Sequence, residues 1–311
     1  MRRNVLLVGV VVAAGLVAAA PALGSQIVAR NAKDVRLRVS PDGGRALVTY
    51  RSRGKAGHVA ASGAINALAP SPDRPQVRFR LRYSASVGFR DACRLYDGPA
   101  LRWLVAACRA PDGSYWALQQ WQRLLPIRGQ QPTARQQVWE LRLSHWSGPV
   151  AELSIDLDWA YRRYDELYGR LTYRGVPVHG FHSTHRGAPL DDYGRNIFVD
   201  TLDSAYGPGW RRENGFLTHR PTGAFCYGFF PRSDGVTGQG RAYRATVAGP
   251  GVTPDVSWSS PAPGPFDAAR DLQAATERRD LFAASDPCRA ANASASGTPT
   301  GHARPSVLQS M

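Results

Sequence analysis

Apolar and polar residues alternate with a period of two through much of this chain. Val77, Phe79, Leu81 and Tyr83 are separated by Arg78, Arg80 and Arg82, and Trp139-Glu140-Leu141-Arg142-Leu143 repeats the pattern. Leu153, Ile155, Leu157 and Trp159 alternate with Glu152, Ser154, Asp156 and Asp158. Such alternation predicts half-buried strands, because successive side chains of a strand point to opposite faces. Val35 to Val39 and Ala46 to Tyr50 flank the turn formers Pro41-Asp42-Gly43-Gly44, which predicts a hairpin. A second hairpin is expected at Leu171-Thr172-Tyr173 and Val176-Pro177-Val178 around Arg174-Gly175, with Pro177 marking an edge or irregular arm. His58 to Ala61, Tyr115 to Arg123, Ile197 to Thr201, Ala224 to Phe230 and Tyr243 to Val247 complete the strand candidates.

Ten or more short strands at this spacing predict a mainly β protein with an antiparallel, sandwich-like body, as one large or two small domains. For two domains, the polar stretch within 126–136 is the candidate junction, although a long hairpin loop fits it equally. Two segments look helical. Tyr161 to Tyr168 predicts a short turn of helix, and Asp267 to Ala284 a longer one, with Ala268, Leu272, Ala275 and Phe282 on one face and Asp267 as its cap. Residues 288–311, rich in Ala, Ser, Gly, Pro and Thr, read as a disordered tail.

Arg2 and Arg3 precede an apolar run from Val5 to Ala20, followed by Pro21-Ala22-Leu23-Gly24. This is the pattern of a secretory signal peptide over residues 1–24, with Ser25 as the mature start. No cysteine follows the run to carry a lipid. No other stretch approaches membrane-spanning length, so the mature chain is expected to be soluble and extracytoplasmic.

Of 311 residues, 39 are Lys or Arg and 24 are Asp or Glu, for a net charge of +15. Without residues 1–24, 37 basic residues face 24 acidic ones, so a charge of +13 belongs to the mature body. Lys33 and Lys55 are the only lysines, a skew that points to a GC-rich, bacterial genome. The summed field of such a protein attracts anionic envelope polymers, acidic glycans or phospholipid surfaces. Nucleic acid is not an expected partner, because the export signal is present and no nucleic-acid-binding motif is.

Cys93, Cys108, Cys226 and Cys288 form an even set in a chain bound for an oxidising compartment, so disulfides are expected. Three pairings are open, and Cys93 with Cys108 plus Cys226 with Cys288 is preferred. Glu152, Asp156 and Asp158 share one strand face, and carboxylates about 7 Å apart can divide acid and base roles. The row partly resembles the E-x-D-x-x-E pattern of sandwich-fold glycosidases, with different spacing and Ser154 in one expected slot. Together with Glu213 it supplies the weak catalytic candidates. The competing expectation is a solvated face whose acids pair with arginines such as Arg142 or Arg80.

His179, His182 and His185, with Asp191 or Asp192, would make a metal site only in an irregular loop, since neither strand nor helix brings that spacing together. No metal and no other cofactor is expected. Ser52 and Lys55 match S-x-x-K by chance in a polar turn. The loop-like stretch from 203 to 231 offers Tyr206, Trp210, Arg211, Asn214, His219 and Arg220, the equipment to stack a sugar ring and bond its hydroxyls. The row Arg78, Arg80 and Arg82 is a second candidate surface, able to hold phosphates or carboxylates unless the acids of 152–158 neutralise it. These features together predict non-catalytic binding of a glycan or anionic polymer at the cell envelope. The rivals are a secreted glycoside hydrolase and a structural envelope protein.

Overall fold

A computed structural model describes residues 25–84, 88–122, 138–160, 164–178, 182–183, 189–204, 207–211, 215–229, 240–248 and 253–284. The predicted signal peptide, the tail from 288 and Cys288 lie outside them. Eight strands come first: β1 (Gln26–Arg30), β2 (Lys33–Val39), β3 (Arg45–Ser52), β4 (Lys55–Gly63), β5 (Phe79–Tyr83), β6 (Leu104–Arg109), β7 (Tyr115–Gln122) and β8 (Trp139–Trp146). They form two antiparallel four-stranded sheets, β2-β3-β4-β5 and β1-β8-β7-β6. The inner face of the first carries Val39, Ala46, Val48, Val59, Ala61 and Phe79. It shares one core with Trp116, Leu118, Leu141 and Leu143 of the second, and the Phe79 and Trp116 rings lie 5.8 Å apart. This is the first sandwich.

The second half contains β9 (Ala151–Ala160), β10 (Tyr164–Tyr173), β11 (Val176–Pro177), β12 (His182–Ser183), β13 (Pro189–Leu190), β14 (Asn196–Ser204), β15 (Gly207–Arg211), β16 (Gly215–His219), β17 (Ala224–Phe229), β18 (Ala242–Ala248), β19 (Val256–Pro261) and α1 (Ala268–Leu281). One sheet runs β11-β10-β17-β16 with β9 on β10, and the other runs β12-β13-β14-β18-β19 with β15 on β14. Leu153, Ile155, Leu171 and Phe225 of the former meet Ile197, Val199, Ala245 and Val247 of the latter around a void of only about 10 Å³. That is about the room of one water, so this interior is close-packed.

The mainly β, antiparallel body is therefore what the alternation predicted. Pro177 does lie in an edge strand. The stretch around 126–136 joins β7 to β8, which are hydrogen-bonded neighbours in one sheet. The helix expected at 161–168 is corrected: residues 164–173 form β10, paired along its length with β9 and over 166–170 with β17. Its segment Leu167-Tyr168-Gly169-Arg170-Leu171 buries leucines on the inner face, and Gly169 admits a close neighbour, since a Cβ there would lie 1.8 Å from the Ser154 carbonyl oxygen.

α1 is capped by Asp267, whose carboxylate accepts from the backbone N–H groups of Ala269 and Arg270. Its inward face is corrected too. Ala274, Arg278 and Phe282 are buried, whereas Leu272 is 67% exposed. The choice is electrostatic: Arg278 Nη1 lies 3.1 Å from Glu166 Oε2, with both side chains fully buried, and Tyr168 donates to Glu277 at 3.0 Å. No helix among the described residues is long and apolar enough to cross a membrane.

The halves share one continuous apolar cluster and also meet through polar side chains. β8 buries Leu141, Leu143 and His145 on one face and Glu140, Arg142 and Ser144 on the other. On the polar face Gln119 donates to the Asp255 carbonyl and accepts from its N–H, and Ser144 donates to the Thr253 carbonyl. Arg142 pairs with Glu140 at 3.0 Å and covers the Trp121 ring at 4.8 Å, rather than meeting the acids of β9 as the sequence led us to expect. Cys93 and Cys108 are disulfide-bonded across a separation of 15 residues, and Cys226 is also disulfide-bonded.

Breaking the Arg278–Glu166 pair leaves a buried charge uncompensated, so Arg278→Met is expected to cost about 3–5 kcal/mol in urea unfolding. Adding Glu166→Gln should recover most of that loss. A cost under about 1 kcal/mol for the single variant would contradict the role given to the pair.

Candidate functional site

The outer face of the β2–β5 sheet is where the sequence concentrates unpaired charge. Cross-strand register places Arg38, Leu47, Ala60 and Arg82 in one row. The next rows hold Arg36, Thr49 and His58 on one side and Arg45, Ser62 and Arg80 on the other. Because the inner-facing residues of the same strands fill the core, the period of two forces these side chains into water together. Arg36, Arg38, Arg51, Arg80 and Arg82 are all exposed.

Arg45 is engaged by Asp42 at 3.7 Å and lies over the Phe89 ring. The other five form no ion pair or side-chain hydrogen bond with any described residue. The central strands supply a floor of small or short side chains, with Leu47 buried beneath the arginines. The edge strands supply walls about 14 Å apart at three inter-strand steps of about 4.8 Å. An open groove of about 630 Å³ lies over the β2–β4 part of this face, lined among others by Arg36, Arg38, Thr49, Arg51, His58 and the single acid Asp34.

The expected neutralisation of Arg80 and Arg82 by Glu152, Asp156 and Asp158 does not occur, because β5 and β9 belong to different sheets in different halves. Arg78 is exposed just before β5. The sequence exposed three arginines of this surface. It missed Arg36, Arg38 and Arg51, whose signal was the same alternation in β2 and β3.

The acidic row lies beneath α1. Asp158 is buried and paired with Arg270 at 3.1 Å, and Glu152 is exposed. Burial, then the charges of Glu277 and Asp158, raises the pKa of Asp156. With Asp158 tied to the helix, the pair lacks a free partner for acid and base division. Glu213 lies outside the described residues.

The aromatic loop candidates separate. Tyr206 and Asn214 lie outside the described residues. Trp210 is half-buried in β15 under the Arg244 guanidinium, 4.4 Å from its ring centre, and Arg211 is fully buried. His219 is exposed at the end of β16 and Arg220 is half-buried beside it. Much of this stretch is therefore strand, and Arg211 points into the protein instead of presenting a ligand contact.

His182 lies in β12, while His179 and His185 lie outside the described residues. Asp191 is no spare ligand: it is buried, accepts from the backbone N–H groups of Tyr193 and Arg195, and pairs with Arg195 at 2.6 Å. Ser52 and Lys55 face each other across the two-residue β3–β4 turn, where Arg53 and Gly54 both have positive φ. The Ser52 hydroxyl donates to the Arg30 carbonyl.

A serine–histidine contact that sequence reasoning missed lies in the first sandwich. The Ser114 hydroxyl sits 2.9 Å from His145 Nε2 and 2.6 Å from Asp112 Oδ1, and His145 Nδ1–H donates to the Gly63 carbonyl. Such spacing can activate a nucleophile. Ser114 and His145 are 2% and 4% exposed, however, and Trp116 stacks on the imidazole at 3.8 Å. Substrate has no approach, so the contact ties the β6–β7 turn to β8.

Compared with known protein families, curated proteins and solved structures, the chain matches none.

Burial holds the His145 pKa below the ordinary 6.5. The unfolded chain therefore takes up a proton at higher pH than the folded one, so stability is full above about pH 6.5 and falls as pH drops below it. Urea midpoints between pH 7.5 and 5 should decline, and His145→Gln should reduce that slope. An unchanged slope would contradict the assignment.

Proposed function

We propose that this protein is exported and binds, without catalysis, a linear anionic polymer of the cell envelope along the outer face of the β2–β5 sheet. The observation that carries this reading is the set of five exposed arginines on one sheet face that form no ion pair among the described residues. Like charges gathered on one face repel one another and destabilise the compact state, and an anionic partner removes that cost.

The groove's shape favours a chain over a compact ligand. Arg36 and Arg38 lie about 7 Å apart along β2, as Arg80 and Arg82 do along β5, so anions repeated along a polymer meet guanidinium groups in register. Guanidinium forks bind phosphate or carboxylate bidentately. The short side chains of the floor leave room for a sugar or polyol backbone. Export is supported by the Arg-flanked apolar run of residues 5–20 and by cysteines in disulfide form.

A glycosidic hydrolase finds less support, since Asp158 is committed to Arg270. A glycan shelf built on Trp210 and Arg211 also finds less support, since Arg244 covers one and the other is buried.

Binding of linear polyphosphate and of a sulfated glycan should be measurable at low salt and should weaken steeply as salt rises, because screening acts on exposed charges. Replacing Arg36, Arg38 and Arg51 together by Ala should lower affinity roughly tenfold or more, at about 0.5–1 kcal/mol per exposed contact, with the thermal midpoint unchanged or raised. Equal affinity of the triple variant would sink the proposal.

A further inference from the structure

Ser25 occupies an unusual place for a residue ahead of a first strand. It is buried in the polar junction between the two sandwiches, and its hydroxyl donates to Asp255 Oδ2 at 2.5 Å. Its carbonyl accepts from Arg142 Nη1 at 3.4 Å. Gln26 then begins β1, paired with Leu143. Asp255 is 4% exposed and is held in place from the other side by both ends of the Gln119 amide. A serine's nitrogen lies within about 4 Å of its own hydroxyl oxygen. The nitrogen of Ser25 is therefore within about 6 Å of a buried carboxylate.

The residues just before Ser25 carry the small-residue pattern at which signal peptides are cut. Taking the two together, we infer that hydrolysis of the Gly24–Ser25 bond creates a group that the fold is built to receive: the α-ammonium of Ser25 pairs with Asp255 and locks the two halves. This rests on the export reading given above. Water is the co-reactant and a signal peptidase the catalyst. The amide C–N bond breaks, Gly24 leaves as the carboxylate of the released peptide, and the Ser25 nitrogen gains protons to become an ammonium.

Among the described residues, the charged groups facing this position are Asp255 from the segment before β19, Arg142 and Glu140 from β8, and Arg102, which lines a cleft with Asp255. Glu140 offsets Arg142 through their ion pair, and Asp255 is the carboxylate in direct contact with Ser25. Pairing raises the α-amino pKa above its unfolded value of about 8. The added stability is then fully present below about pH 8 and is lost as pH rises through the folded value.

The test uses the full chain, expressed with its own leader and recovered after export. N-terminal sequencing reads the processing step: a start at Ser25 is expected, and a start elsewhere or at Met1 overturns that step. Docking is read separately by reductive methylation at pH 7, with Lys33 and Lys55 as exposed internal references. In unfolded protein the α-amine, having the lower pKa, reacts faster than the lysines. In folded protein it should react at least tenfold more slowly than it does unfolded, whereas equal rates overturn the docking.

A chain carrying one extra Gly before Ser25 should be less stable at pH 6–7, with the difference vanishing above about pH 10 and absent in an Asp255→Asn background. A difference that persists in that background also overturns the pairing. Should Asp255→Asn not fold, the methylation rates decide alone. Because these readouts do not involve polymer binding, they stand apart from the fate of the arginine face.

Discussion

The constraint on which this structure depends is that a strand has two faces and a sandwich uses only one of them. Each of the four sheets buries an apolar face, and what happens to the opposite face decides its role. β7 and β8 present theirs to the second half, where Gln119 and Ser144 bond to the segment ahead of β19, while Arg142 donates to the Ser25 carbonyl. β9, β10 and β17 are covered by α1, with Arg270 and Arg278 entering among Asp158 and Glu166. No described element packs over the outer face of the β2–β5 sheet. Arg36, Arg38, Arg51, Arg80 and Arg82 remain in solvent there, with no ion pair among the described residues.

Charge is thus handled in two ways within one chain. Inside, arginines and carboxylates are matched: Arg142 with Glu140, Arg195 with Asp191, Arg244 with Asp200 and Arg278 with Glu166. Burial of such ions is costly unless they are paired and hydrogen-bonded, so Arg244–Asp200 and Arg278–Glu166, which join different elements, act as specific fasteners more than as sources of net stability. Outside, Arg36, Arg38, Arg51, Arg80 and Arg82 share one exposed sheet face. The overall basicity, by itself compatible with many partners, thereby acquires a place and a geometry.

What could be read from the sequence follows the same division. Period two is a property of single strands, so the β-rich body and the Arg78-Arg80-Arg82 row were legible without any structure. Register and sheet partnership are relations between distant segments, and they were not. Arg36 and Arg38 came to share a sheet face with Arg82 only through the order β2-β3-β4-β5, and Glu152 was separated from Arg80 by the division into two sandwiches. The helix expected over 161–168 failed because the pairing of β10 with both β9 and β17 overrides local preference. Arg211 looked like a ligand-binding group for want of any way to see that β15 turns it inward. The Ser114–His145 contact, spanning 31 residues, carried no local signal.

Protection of arginines from a guanidine-directed reagent, mapped by mass spectrometry with and without linear polyphosphate, tests the central claim most directly. Loss of reactivity confined to Arg36, Arg38, Arg51, Arg80 and Arg82 is the predicted outcome. Protection centred on Arg220 and its neighbours, or none at polymer concentrations that saturate binding, would contradict it.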